Sequence, residues 1–105
     1  MKKWRRYEVL LPVRFNDGRD IPKKLHAEAL DEMVSKFEAV SFDNRKVEGL
    51  WQNKGVLYRD QLSRIVVDIP DTVTNRKWMK RFKARWKERL QQIELWMISY
   101  RIEVE

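Results

Sequence analysis

Cysteine is absent from the 105 residues, which excludes a disulfide framework and thiol chemistry. A single histidine leaves no ligand set for a structural zinc site. Three glycines are too few for a phosphate-cradling loop or a dinucleotide fingerprint. The apolar runs are only a few residues long, so no membrane span is expected. The basic N-terminus has no apolar region behind it, because Arg5, Arg6 and Glu8 interrupt it. Internal repeats, low-complexity tracts and dividing linkers are also lacking. The expectation is one soluble, cytoplasmic domain over residues 1–105.

What the chain does have is charge and tryptophan. Charged residues make up 37% and hydrophobic ones 43%, a globular balance. Five tryptophans exceed the needs of a small core and fit interface anchoring as well. The net charge is +7, and all of it falls in Asn75–Gln92. There Arg76, Lys77, Lys80, Arg81, Lys83, Arg85, Lys87 and Arg89 face the lone acid Glu88, while basic and acidic residues cancel elsewhere. Trp78, Met79, Phe82, Trp86 and Leu90 recur at steps of three and four, which predicts a helix with one apolar stripe.

Around this helix the pattern is regular. Trp4–Phe15 alternates, with Tyr7, Val9, Leu11, Val13 and Phe15 on one side, and predicts a strand. Pro12 marks an edge, a bulge or an end, and Asn16-Asp17-Gly18 a turn. Asp20 is the expected cap of a helix running to Phe37 or Glu38, with Leu25, Ala29, Leu30, Met33, Val34 and Phe37 as its stripe. His26 reads as a partly exposed helix histidine with no catalytic part. A connector with Asp43-Asn44 precedes a strand over Lys46–Gln52. Asn53-Lys54-Gly55 predicts a hairpin loop, and a strand follows from Val56 to Ile69, bulged near Asp60-Gln61. Asp71 or Thr74 is the expected cap of the basic helix. Glu94–Val104 reads as the last strand, with Trp96, Ile98, Tyr100 and Ile102 placed toward the core.

The order βαββαβ predicts an α+β, ferredoxin-like fold: a four-stranded antiparallel sheet with two helices on one face. Leu10, Val66, Leu95 and Met97 then lie on the uncovered face among mixed charges. Such a face predicts a homo-oligomer, a dimer in the simplest case.

For chemistry, the best polar cluster is Tyr58, Asp60, Arg64 and Asp68. Arg64 and Asp68 share a strand face about 13 Å apart in Cα. A metal-dependent hydrolase or nuclease using Asp60 and Asp68 is one reading; cross-strand ion pairs with Glu8 and Arg6 are the simpler one. No catalytic residue, resident metal or cofactor is expected. In the basic helix the like-signed pairs at i,i+4 repel, and a partner of opposite charge would relieve them. Arg76, Lys77, Lys80, Arg81, Lys83 and Lys87 are the candidate residues, with nucleic acid or an acidic protein as the partner. Anionic lipid ranks last, because the core needs the apolar stripe. The expected open face lacks aromatics in its central strands, so stacking of bases on the sheet is not expected.

Several short motifs occur together: YEVLLPVRFNDG at Tyr7–Gly18, GLWQNKGVLYRD at Gly49–Asp60, RIVVDIPDTVTNR at Arg64–Arg76 and KERLQQIELW before a terminal YRIEVE. With its LPxxFNDG and GxWxxxGxxYxD patterns the chain resembles a family of small, uncharacterised bacterial proteins. The resemblance covers nearly the whole chain and implies one small α+β domain of bacterial origin, with no assigned activity. It directs attention to Asn16, Asp17, Gly18, Trp51, Gly55, Tyr58, Asp60, Arg64, Asp68, Asp71, Thr72, Asn75 and Arg76. The basic helix and the uncovered sheet face together lead to the expected function, a non-enzymatic binding and oligomerisation module.

Overall fold

A computed structural model describes residues 2–105. The elements are β1 (Trp4–Pro12), α1 (Lys23–Lys36), β2 (Val40–Asn53), β3 (Val56–Pro70), α2 (Val73–Arg89) and β4 (Met97–Ile102). The sheet is antiparallel throughout, in the order β2-β3-β1-β4. Each helix thus carries the chain across an intervening strand, which is the ferredoxin-like split βαβ arrangement.

Both helices pack on one face. Tyr7, Val9, Leu11, Ile65, Val67 and Ile69 from the central strands meet Ala29 and Met33 of α1 with its C-cap Phe37, and Met79, Phe82 and Trp86 of α2 with its C-cap Leu90. The stripe expected on α2 is the one buried. On α1, Val34 is exposed instead. Asp20 does not cap α1: it pairs with Arg14 across an isolated bridge, and Pro22 stands at the cap position. At α2 the cap is Thr72, whose hydroxyl accepts from the Asn75 N–H at 3.1 Å. Neither Asp71 nor Thr74 fills that place, because Asp71 is engaged by arginines.

Three strand expectations change. β1 ends at Pro12, beyond which the chain loops through a turn at Phe15–Gly18, with Gly18 at φ +91°. β2 begins at Val40, so Asp43-Asn44 lies within a strand. The bulge is there too, where pairing shifts between Asp43 and Val47, and not at Asp60-Gln61. The Asp43 side chain closes it by accepting from the Arg45 backbone N–H at 3.0 Å and from its guanidinium. The stretch expected to connect α1 to a strand is therefore part of the strand and bends it.

The third change reaches furthest. β4 is turned over by one residue. Val9 pairs with Met97 and Tyr7 with Ser99, whereas Glu8 pairs with Ile98 and Arg6 with Tyr100. Leu95 is buried and Met97 packs on the core, while Trp96, Ile98 and Tyr100 are 60%, 40% and 42% exposed. A slip of one residue moves every side chain to the other face. The uncovered face therefore carries the aromatics.

β1 pairs β3 only from Leu62 to Pro70. The remainder of β3, with the second half of β2, continues past the sheet as a two-stranded arm. Lys54 and Gly55, at φ +51° and +80°, form its two-residue turn, as Asn53-Lys54-Gly55 predicts.

Candidate functional site

The uncovered sheet face has two parts. Its middle is a lattice of cross-strand charges. Arg6 holds Asp68 through two bonds at 2.7 and 2.9 Å. Arg64 reaches Glu8 at 3.2 Å and Asp43 at 3.4 Å, and the Tyr100 hydroxyl donates to Glu8 at 2.9 Å. Arg64 and Asp68 are thus structural partners of Glu8 and Arg6, as the simpler reading has it. Beside this lattice stand Val66, Ile98 and Tyr100, with no element over them.

The second part lies where the arm leaves the sheet. The two-residue turn fixes the register, so Trp51 faces Tyr58 and Gly49 faces Asp60. The Trp51 and Tyr58 rings stack with centroids 4.4 Å apart, and the Trp51 indole N–H donates to Asp60 Oδ2 at 2.7 Å. A Cβ on Gly49 would come within 2.9 Å of Leu62 Cδ1, so a larger residue there would make the end of the Leu62 side chain shift. The GxWxxxGxxYxD pattern is this hairpin, residue by residue. It walls a groove of about 460 Å³ together with Leu10, Leu62, Gln92, Glu94 and Trp96.

Of the expected polar cluster, Tyr58 and Asp60 sit on the arm while Arg64 and Asp68 sit in the sheet. Asp60 and Asp68 are eight residues apart on one extended strand, about 26 Å, too far to share a metal ion. Among the described residues no three metal-ligating side chains converge. His26 donates its Nε2–H to the Pro12 carbonyl at 2.7 Å, and burial lowers its pKa. It serves as a strut between α1 and the end of β1.

The basic helix divides in two. Arg76 binds Asp71 at 2.7 Å and Lys83 binds Glu94 at 3.2 Å. Arg85 pairs with Glu32, and Arg89 with Glu28 at 2.5 Å. These four cations tie α2 to its own protein, which corrects the expectation that Arg76 and Lys83 await a partner. Lys77, Lys80, Arg81 and Lys87 have no acid within 4 Å among the described residues. Lys77, Lys80 and Arg81 are exposed.

Asp71 is the charge hub that the sequence did not reveal. Its side chain is only 1% exposed and meets Arg76 at 2.7 Å, Arg5 at 3.1 Å and Arg101 at 3.5 Å. Hydrogen bonding from Arg76, then from Arg5, holds its carboxyl well below the usual 3.8. A depressed native pKa gives stability that is complete above the unfolded value and disappears as pH falls below it. The thermal midpoint is therefore expected to fall from about pH 4 downward. Asp43, depressed by Arg45, contributes in the same window. Asp71→Ala should melt lower at pH 7 and lose less between pH 4 and pH 2, about the range in which carboxylates take up protons. Thermal scans against pH check this; an unchanged acid slope would contradict it.

No family model matches the chain, and no curated protein matches it. Solved structures do. CutA1 from Oryza sativa superposes with a TM-score of 0.66 at 10% identity, over 98% of this chain and 83% of that one. A phage SAM lyase in complex with S-methyl-5'-thioadenosine gives 0.66 at 10% identity, over 96% and 90%. CutA from Synechococcus elongatus gives 0.59 at 6% identity, over 93% and 75%. At these identities the likeness is one of fold.

Proposed function

We propose that this protein is a small, non-enzymatic module that assembles through its open sheet face and meets an anionic partner with the free cations of α2. The observation that supports assembly is the uncovered apolar strip of Val66, Ile98 and Tyr100, with Ile98 and Tyr100 each at least 40% exposed. A second copy can bury such a strip while matching its own charge lattice, since a two-fold interface sets the same patch against itself. The resemblance to small uncharacterised bacterial proteins belongs with this reading and adds no activity to it.

The fold does not choose among functions. Of the similar structures, one is a SAM lyase and another, from Ehrlichia chaffeensis, is called a divalent ion tolerance protein. The separation of Asp60 from Asp68 removes the support for a shared hydrolytic metal site, so the hydrolase reading is not carried further.

For the anionic partner, Lys77, Lys80 and Arg81 form an exposed cationic patch with no carboxylate within 4 Å among the described residues. Nucleic acid is the partner we test first, bound through phosphates with little sequence preference. Binding to mixed-sequence RNA and DNA is expected at low salt and should weaken steeply as salt rises. Lys77→Ala, Lys80→Ala and Arg81→Ala together should flatten the dependence of log affinity on log salt by up to three contacts' worth, roughly 2–3 units. An unchanged slope would move the contact off α2; absence of binding at low salt would leave an acidic protein as the partner.

A further inference from the structure

We propose that the groove between the arm and the sheet is a binding site for a small organic cation with a flat apolar body, such as an aromatic amine. Asp60 carries the inference. Among the described residues seven acids are partly or largely withdrawn from solvent, and six of them (Glu8, Glu28, Glu32, Asp43, Asp68 and Asp71) each have a cation within 4 Å. The seventh, Asp60, has none among the described residues, although the chain carries a surplus of seven positive charges. Asp60 is thus the one partly buried carboxylate among the described residues whose charge is left for a ligand to match.

The surroundings fit such a ligand. Asp60 Oδ2 is occupied by the Trp51 indole at 2.7 Å, and no hydrogen bond reaches Oδ1 among the described residues. One face of Trp51 is covered by Tyr58; Tyr58 borders the far side of the arm and Trp51 borders the groove. Leu10 and Leu62 line the groove beside it, and Trp96, 60% exposed, lines it from the β4 side. Gln92 spends its amide N–H on the Leu90 carbonyl at 2.8 Å, which leaves its carbonyl oxygen as an acceptor. Indole faces attract a cation within about 6 Å of the ring, and the free acceptors ask for N–H donors. A volume of 460 Å³ is in the range of small-molecule sites. This site is separate from the Val66, Ile98 and Tyr100 strip and does not rest on assembly through it.

The test uses the whole protein, 15N-labelled, with 2-phenylethylamine as the cationic probe, and 2-phenylethanol and phenylacetate as its neutral and anionic counterparts. The amine is expected to shift the indole N–H signals of Trp51 and Trp96 at millimolar concentration and to leave that of the buried Trp86 in place. The alcohol should bind roughly tenfold or more weakly, and the anion not at all. Asp60→Asn keeps an oxygen to accept the Trp51 N–H while removing the charge, so the Trp51 signal should stay near its native position and amine affinity fall roughly tenfold or more. Trp96→Ala should also weaken the amine. Equal binding of amine and alcohol, or no shift with the amine, would overturn the proposal. So would an Asp60→Asn protein that changes its oligomeric mass, because the groove's cation would then come from a second copy.

Discussion

Truncating Trp86 to alanine is expected to cost the fold about 3–5 kcal/mol, a large fraction of the roughly 5–15 kcal/mol that holds a domain folded. Trp86 is the largest fully buried side chain in the protein. Its ring packs on Phe82 at a centroid distance of 6.2 Å. Its indole N–H donates to Glu32 of α1 at 3.1 Å, and the Arg89 guanidinium lies over the ring at 4.4 Å. Removing it opens a cavity between the two helices and leaves Glu32 without one of its partners, next to the Arg85 pair. Equilibrium urea unfolding measures the loss. A cost below about 1 kcal/mol, the size of an ordinary surface change, would show that α2 is not seated as described. Trp86→Phe, which keeps most of the ring volume, should lose less.

Placing glutamates at Ile98 and Tyr100 is expected to dissolve the assembly. Both side chains point to solvent on the uncovered face, at 40% and 42% exposure, so the single chain keeps its core; within the sheet it loses the Tyr100 bond to Glu8 and sets a glutamate opposite Glu8, which costs roughly 1 kcal/mol. Across a two-fold interface the added glutamates would enter a contact that already holds the Glu8 of each copy. Like charges set opposite each other in a low-dielectric contact cost several kcal/mol. The effect should appear as a fall in mass by light scattering to the single-chain 12.9 kDa, with the monomer still melting cooperatively. A parallel collapse of the fold would mean that these residues support the sheet itself. Tyr100→Phe separates the hydroxyl bond to Glu8 from the ring and should leave the assembly in place.

Much of this fold is legible in the residues. Clean alternation in Tyr7, Val9 and Leu11 and in Ile65, Val67 and Ile69 has one solution, and so has the stripe from Met79 to Leu90. The hairpin was readable too: a two-residue turn at Lys54-Gly55 pairs 51 with 58 and 49 with 60, which is enough to bring Trp51, Tyr58 and Asp60 together. That arithmetic was the available signal for the groove wall.

β4 was not legible. Leu95, Trp96, Met97 and Ile98 are all apolar, so hydropathy favours neither face. The larger set was expected inside, yet the smaller one is there. Tertiary charge chemistry is what distinguishes the two arrangements. The observed register turns Ser99 toward Arg5, which bonds it at 3.1 Å, and brings Arg101 to Asp71. The opposite register would carry Arg101 away from that hub. Nothing local to residues 94–104 records a requirement that originates at Asp71. The same holds for α2, whose eight cations look alike in sequence. Only the positions of Glu28, Glu32, Asp71 and Glu94 separate the four struts from the four that remain free.

The proposed assembly brings copies of this chain together through the β1, β3 and β4 side of the sheet. Isotope-filtered NOE spectroscopy on an equal mixture of labelled and unlabelled protein locates that contact directly. Intermolecular NOEs are expected from the Ile98 and Val66 methyl groups and the Tyr100 ring, with α2 silent. Intermolecular NOEs confined to the helices, or none at concentrations where the assembly is full, would contradict it.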